Sequence, residues 1–175
     1  VSYDHTSAHL LLLSLFEGGN QFWSEQYLQY GVIEFVNRIA EGIYSDKKRG
    51  GKSIEEALKS TDASGLVAQM EETNSFLITR SDEDWPHSLN DLKAPPIALI
   101  GRGERSALLG LSSSISIVGT RNPTHYGVRV AGDFAAGVVD RGWAVVSGGA
   151  FGIDSAAHKG ALVAEGQTIA ILGKN

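Results

Sequence analysis

Residues 114–127 read SISIVGTRNPTHYG, and this stretch decides the fold. It opens as a strand, with Ile115, Ile117 and Val118 close together, and breaks on Gly119. Beyond Pro123, the residues Val128, Ala131, Ala135 and Val138 recur at helical spacing. The pattern predicts a strand over 115–119 and a helix over about 124–140. "WAVVS" at 143–147 predicts the next strand. A helix over 153–164 follows, its face made of Ala156, Ala157, Gly160 and Ala161, and "TIAILG" at 168–173 predicts a third strand. Strands alternating with helices imply right-handed crossovers and a parallel sheet. Short apolar runs without polar alternation suit strands covered on both sides. The fold class expected is therefore α/β.

In such a sheet, ligands bind beyond the carboxyl ends of the strands. Two loops leave strands at that edge: "GTRNPTHYG" and "SGGAFGIDSAAH", residues 147–158. Both lead into helix N-termini, where unpaired N–H groups and the helix dipole favour an anion. Gly148 and Gly149 leave room for close approach to the main chain, and Gly152 allows a tight turn. Neither loop matches G-x-G-x-x-G or a P-loop, which argues against an ordinary NAD or ATP site. Arg121 sits where a dinucleotide-binding loop carries another glycine. Its guanidinium is a planar fork suited to phosphate. A structural salt bridge is the competing role, and the second glycine-rich turn opposite tips the balance to ligand binding.

Other candidates have plainer readings. Asp154 lies in the first turn of a helix, where a carboxylate complements the dipole. It would repel a phosphate on that terminus and push it toward Ser147–Gly149. His158, four residues on, is placed to pair with Asp154, and a packed, hydrogen-bonded histidine is favoured over acid–base machinery. Tyr126 is expected in the core, Trp143 is expected to be structural, and Phe151 is open between packing and base stacking. The spacing of His5, His9, His87 and His125 does not suggest a metal site.

Upstream, the chain reads as short helices. A dense apolar stretch from Leu10 to Phe16 stops at Gly18-Gly19. Helices are predicted over 22–29 and 32–40, interrupted at Gly31. "SDKKRGGKS" reads as a solvated polar loop, although Lys47, Lys48 and Arg49 are of a kind that touches phosphate. Ser53 and Glu56 have capping-box spacing for a helix over 54–59. Another helix is predicted over 63–73. "SFLIT" reads as a short strand and "IALIG" at 97–101 as a buried one. Between them, Asp82 and Asp84 read as caps for a Pro-led helix rather than as a catalytic pair.

Composition bounds the rest. The chain has 175 residues, no cysteine and a formal net charge of -5. Residues 1–74 carry six Lys or Arg and eleven Asp or Glu, whereas residues 75–175 carry nine of each. The acidic excess thus lies wholly in the first part, and the neutral second part can still focus a local positive pocket. Disulfides and thiolate metal sites are excluded. No signal peptide is visible, so a cytoplasmic location is expected. Residues 1–74 are expected to form a helical domain and 75–175 an α/β domain.

Taken together, "SISIVGTRNPTHYG", "AVVSGGAFGIDSAAHKGAL", "GQTIAILG" and the lead-in "DWPHSLNDLKAPPIALIGRG" closely resemble the DNA-processing protein A family, DprA or Smf. The resemblance covers roughly residues 80–173. It implies an extended Rossmann-like core, with helices on both faces of a parallel sheet, preceded by a small helical, SAM-like domain. It also implies sequence-independent binding of single-stranded DNA, protection of incoming DNA and loading of a RecA-type recombinase during natural transformation. A homodimer is implied for the full-length form. No catalytic turnover, cofactor, metal or membrane association is implied.

The DNA- and phosphate-binding set expected is Gly119, Thr120, Arg121 and Asn122 from the first loop, with Ser147, Gly148, Gly149 and Phe151 from the second. Many members carry a basic residue at the position of Phe151. The family also continues past "LGKN" through a glycine-rich loop, a Tyr-Pro segment with a further lysine, and more strands. The core is therefore expected to be truncated, and Lys174 is not taken as that lysine. The alternative is a nucleotide-binding enzyme or sensor of phosphoribohydrolase type in the same crevice, with Asp154 as its candidate carboxylate. A third reading is a scaffold whose acidic helical part binds a protein.

Overall fold

The computed structural model describes residues 3–173; Lys174 lies outside the described residues. The chain forms two compact units, residues 1–103 and 104–175. The boundary expected at residue 74 falls inside the first unit.

In the first unit, α1 (His5–Leu15) begins at Asp4, whose side chain accepts from Ser7 N. Helix α2 (Gln21–Ala40) bends at Gly31, which has φ 73° and ψ 171°. Only glycine takes this conformation readily, so the predicted interruption is real and divides the span into two helices that meet at a kink. The loop expected at 45–53 closes into a minimal antiparallel ladder, β1 (Lys48–Arg49) with β2 (Lys52–Ser53). Ser53 and Glu56 then form the predicted capping box of α3 (Ile54–Lys59). Helix α4 (Ala63–Glu72) follows.

Strands β3 (Ser75–Ile78) and β4 (Leu99–Arg102) pair antiparallel with each other and do not join the parallel sheet. β4 alternates half-buried and exposed residues, which corrects the expectation of a buried strand. The residues between them are tied to the helices. Ser24 Oγ donates to Pro95 O at 2.8 Å, and Ile97 joins the core of Leu11, Leu12, Phe35 and Val36. The short 3-10 helix over 87–91 has Pro86 at its N-cap, and that residue offers no side-chain hydrogen bond. Asp82 Oδ2 instead accepts from Thr79 N and Thr79 Oγ1, both at 2.7 Å, and closes the turn after β3.

The second unit starts with a 3-10 segment over 105–113 and continues β5 (Ser114–Ser116), α5 (His125–Val139), β6 (Ala144–Ser147), α6 (Ile153–Val163) and β7 (Thr168–Ala170). The three strands form a parallel sheet in the order β5-β6-β7. This is the expected α/β, Rossmann-like arrangement. Helices α5 and α6 pack on each other and against the sheet, and the 105–113 segment also meets β6 and β7. The core is small: Ile117, Ala135, Val145, Ala157 and Ala161. Alanines and glycines let the helices come very close. A Cβ on Gly160 would fall 2.8 Å from Gly132 Cα and closer still to its carbonyl oxygen. Val128 does not share the buried face of Ala131 and Ala135. No helix of the described residues is long and apolar enough to cross a membrane.

Candidate functional site

Both loops singled out in the sequence lie in the second unit, and they touch. Ile153 N, at the start of α6, donates to Thr120 O at 3.2 Å. Gly152 has φ 98° and ψ -126°. A Cβ there would strike the Thr120 carbonyl oxygen and lie 3.0 Å from Arg121 Cα. Only a glycine lets the second turn close on the first. Gly119 is subject to the same closeness, since a Cβ would lie 2.7 Å from Ile153 Cγ1.

A carboxylate joins the turns from beneath. Asp154, 7% exposed, accepts from Gly119 N at 3.3 Å through Oδ1. Its Oδ2 lies 2.6 Å from where a Gly148 Cβ would be. Asp154 therefore faces the main chain of both loops, and the pairing expected with His158 is not formed. His158 Nε2 is 2.8 Å from Gly148 O and Nδ1 is 2.7 Å from Thr168 Oγ1. This is the packed histidine that the sequence favoured, with different partners. The two side chains share a helix face by spacing, but each finds a backbone group nearer than the other.

In the first loop, Thr120 Oγ1 accepts from Asn122 N at 3.1 Å. Thr120, Arg121 and Asn122 are exposed. Among the described residues no carboxylate pairs with Arg121, so the structural salt bridge is not formed. Thr124 caps α5 by accepting from Gly127 N.

In the second loop, Ser147 is 2% exposed and its Oγ donates to Ile117 O at 2.5 Å. Its hydroxyl thus serves the sheet, and only its backbone borders the loop. Among the described residues, no backbone N–H from Gly148 to Gly152 donates to a protein acceptor, and neither do those of Thr120 and Arg121. Main-chain donors left unpaired in succession can form a cradle for an anion. Phe151 is 87% exposed, which settles its side chain as outside the core. Tyr126 is 70% exposed, correcting the expectation of core packing, and Trp143 is also exposed. Arg129 lies 6.0 Å from the Tyr126 ring centre, at the outer limit of a cation–π contact.

The geometry brings Gly119, Thr120, Arg121, Gly148, Gly149 and Phe151 to one rim of one sheet, with Asn122 beside them and Ser147 beneath. The roles of Asp154 and His158 as loop partners were not foreseen. Nothing in local spacing reports a hydrogen bond to a carbonyl ten residues away.

Comparison with known proteins agrees with this architecture. The model of the family described as DNA recombination-mediator protein A matches residues 76–175. The DNA processing protein DprA of Bacillus subtilis strain 168 is 36% identical over 107 residues, covering 61% of this chain and 36% of that protein. The putative DNA processing protein DprA of Mycobacterium tuberculosis strain H37Rv is 41% identical over 113 residues, covering 55% of this chain and 28% of that protein. The aligned region thus spans about a third of the length of these curated relatives. The X-ray structure of DNA processing protein A from Streptococcus pneumoniae has the same fold, with a TM-score of 0.70 at 22% identity, covering 98% of this chain and 58% of that one. With a family match over more than half of its length, reaching from β3 through both glycine-containing turns, the chain belongs to the DNA recombination-mediator protein A family.

Proposed function

We propose that the rim formed by the two turns binds single-stranded DNA without reading its sequence. Phosphate is held by the N–H groups of Gly149–Phe151 and by the Arg121 guanidinium, and Phe151 offers a ring for a base to stack on. In this reading the chain supplies the DNA-gripping part of a cytoplasmic recombination mediator. The mediator protects incoming strands, self-associates as a homodimer when full length, and passes the DNA to a RecA-type recombinase. Membership in a recombination-mediator family supports the wider role. Binding, not turnover, is the activity.

The observation that carries the reading is the run of N–H groups from Gly148 to Gly152 that have no protein acceptor among the described residues, beside an exposed arginine with no carboxylate partner among them. Backbone donors and a guanidinium recognise phosphate, and phosphate is the part of DNA common to every sequence. An exposed phenylalanine is equally indifferent to base identity. Asp154 modifies the picture expected from sequence. Its carboxylate lies against Gly148, so the phosphate sits farther along the turn, toward Phe151 and Arg121. The enzyme alternative needs a carboxylate free to face a sugar, whereas Asp154 is buried and bound to Gly119 N.

The test is fluorescence anisotropy of a labelled oligothymidine at two salt concentrations, with Arg121→Ala alongside. Affinity falls as salt rises, because phosphate contacts release counterions. Arg121→Ala loses a further factor of about 10–100, the worth of a charge-assisted contact. Tight binding of a mononucleotide with no gain for longer strands overturns the reading in favour of a nucleotide enzyme or sensor. No affinity for either favours the scaffold.

A further inference from the structure

The peptide between Gly148 and Gly149 is central to this rim, and one side chain holds it. His158 Nε2 lies 2.8 Å from Gly148 O. A carbonyl only accepts, so Nε2 carries the proton. The peptide is trans, since the described residues contain no cis bond. In a planar trans peptide the N–H points opposite to the C=O. Drawing the Gly148 carbonyl onto α6 therefore turns Gly149 N–H outward, and that N–H has no protein acceptor among the described residues.

The imidazole is itself fixed from its other side. Nδ1 lies 2.7 Å from Thr168 Oγ1, which lies 3.1 Å from Val145 O. In the neutral ring, Nδ1 accepts from the Thr168 hydroxyl. In the charged ring, Nδ1–H donates to Thr168, whose hydroxyl then turns to Val145 O. The bond to Gly148 O persists in both states. Thr168 opens β7 and Val145 lies within β6, so the ring is fastened to the sheet.

We propose that His158 is a positioning residue for phosphate: it fixes the Gly148–Gly149 peptide so that Gly149 N–H is presented, already oriented, to the anion. The inference deepens the DNA-binding reading and rests on it for the identity of the ligand. It does not rest on it for the orientation of the peptide. A glycine pair without this clamp would sample many backbone states and would lose that freedom on binding.

Two substitutions at His158 separate positioning from packing. His158→Gln places an amide N–H at the reach of Nε2 and keeps the donation to Gly148 O. His158→Leu fills the space without a donor. The Gly149 amide is read by ¹⁵N–¹H NMR, oligothymidine affinity by anisotropy, and stability by urea denaturation. His158→Gln is expected to leave the Gly149 resonance near its wild-type position and the affinity within about threefold. His158→Leu is expected to displace or broaden that resonance and weaken binding about tenfold.

An unmoved Gly149 amide in folded His158→Leu overturns the proposal, as does His158→Gln binding as weakly as His158→Leu. If His158→Leu does not fold, Thr168→Val decides. It frees Nδ1 without touching the loop, so a displaced Gly149 amide supports the proposal and an unchanged one overturns it. Should the wild-type chain fail to bind oligothymidine, the DNA reading falls, and the Gly149 amide alone decides the role of His158.

Discussion

Asp154 and Gly119, 35 positions apart in the chain, are joined by a 3.3 Å hydrogen bond from the glycine N–H to the carboxylate. The bond ties the start of α6 to the turn after β5, and it also puts a buried negative charge under a rim proposed to hold phosphate. Asp154→Asn keeps an oxygen able to accept from Gly119 while removing that charge. Oligothymidine affinity is expected to rise by about threefold to tenfold at low salt, with the gain shrinking as salt is added. Anisotropy titrations at two ionic strengths check both parts.

Gly152 is where the two turns close on each other. Gly152→Ala must place a Cβ against Thr120 O and hold a left-handed backbone at φ 98°. A cost of about 2–4 kcal/mol is expected from clash and strain together. Urea denaturation measures it, and a loss below 0.5 kcal/mol (about the noise of a surface substitution) would mean the turns part easily.

Two glycines share the crossing of α5 and α6 but are not equivalent. A Cβ on Gly160 meets the main chain of Gly132, whereas a Cβ on Gly132 meets nothing nearer than Ala156 O at 3.8 Å. Gly160→Ala is expected to destabilise the fold by about 3 kcal/mol. Gly132→Ala is expected to stabilise it by about 0.5–1 kcal/mol through helix propensity. Equal effects in thermal unfolding would contradict the geometry.

Phe151 is the cleanest separation of binding from folding. At 87% exposure its removal leaves the core untouched. Phe151→Ala is expected to hold stability within about 0.5 kcal/mol. It is expected to weaken oligothymidine binding by about 1–3 kcal/mol, the worth of one stacked base.

The sequence announced the β–α–β–α–β unit because each strand there is a short apolar run and each helix shows a small-residue face at its own period. The capping box at Ser53 and the break at Gly31 were equally legible, being local chemistry. The pairing of β3 with β4 was not. Two strands more than twenty residues apart carry no mark of their partner, and Ser24's bond to Pro95 joins positions 71 apart. The 3-10 segment over 105–113 mixes leucine with serine and glycine and shows no clean period. At the candidate site, the two turns could be seen in the sequence to lie at one edge of the sheet, and Arg121 to lie in the first of them. The partners of Asp154 and His158 could not be named, because Gly119, Gly148 and Thr168 lie in other turns and strands.

The first unit has its own titrating group. His9 is buried, with Nδ1 2.7 Å from His5 O and Nε2 3.1 Å from Tyr27 Oη. Burial pushes its imidazole below the ordinary value of 6.5; a charged His5 adds to this, while the bond to His5 O and the charge on Asp82 oppose it. The unfolded chain then binds a proton that the folded chain refuses. Stability is full above the unfolded value and falls as pH drops through it toward the lower folded value. Urea midpoints at pH 7.5 and pH 5.5 (choices about one unit either side of an unperturbed histidine) are expected to fall more for the wild type than for His9→Gln.

The contact of Gly160 with the main chain of Gly132 has one more consequence. With no side chain as a spacer there, the gap between α5 and α6 is set by bare polypeptide, a dimension that most substitutions cannot alter. The turns that lead into α5 and α6 inherit that fixed gauge. Surface residues along both helices can drift without detuning it, whereas a side chain on Gly160 would force the two helices, and the turns that lead into them, apart.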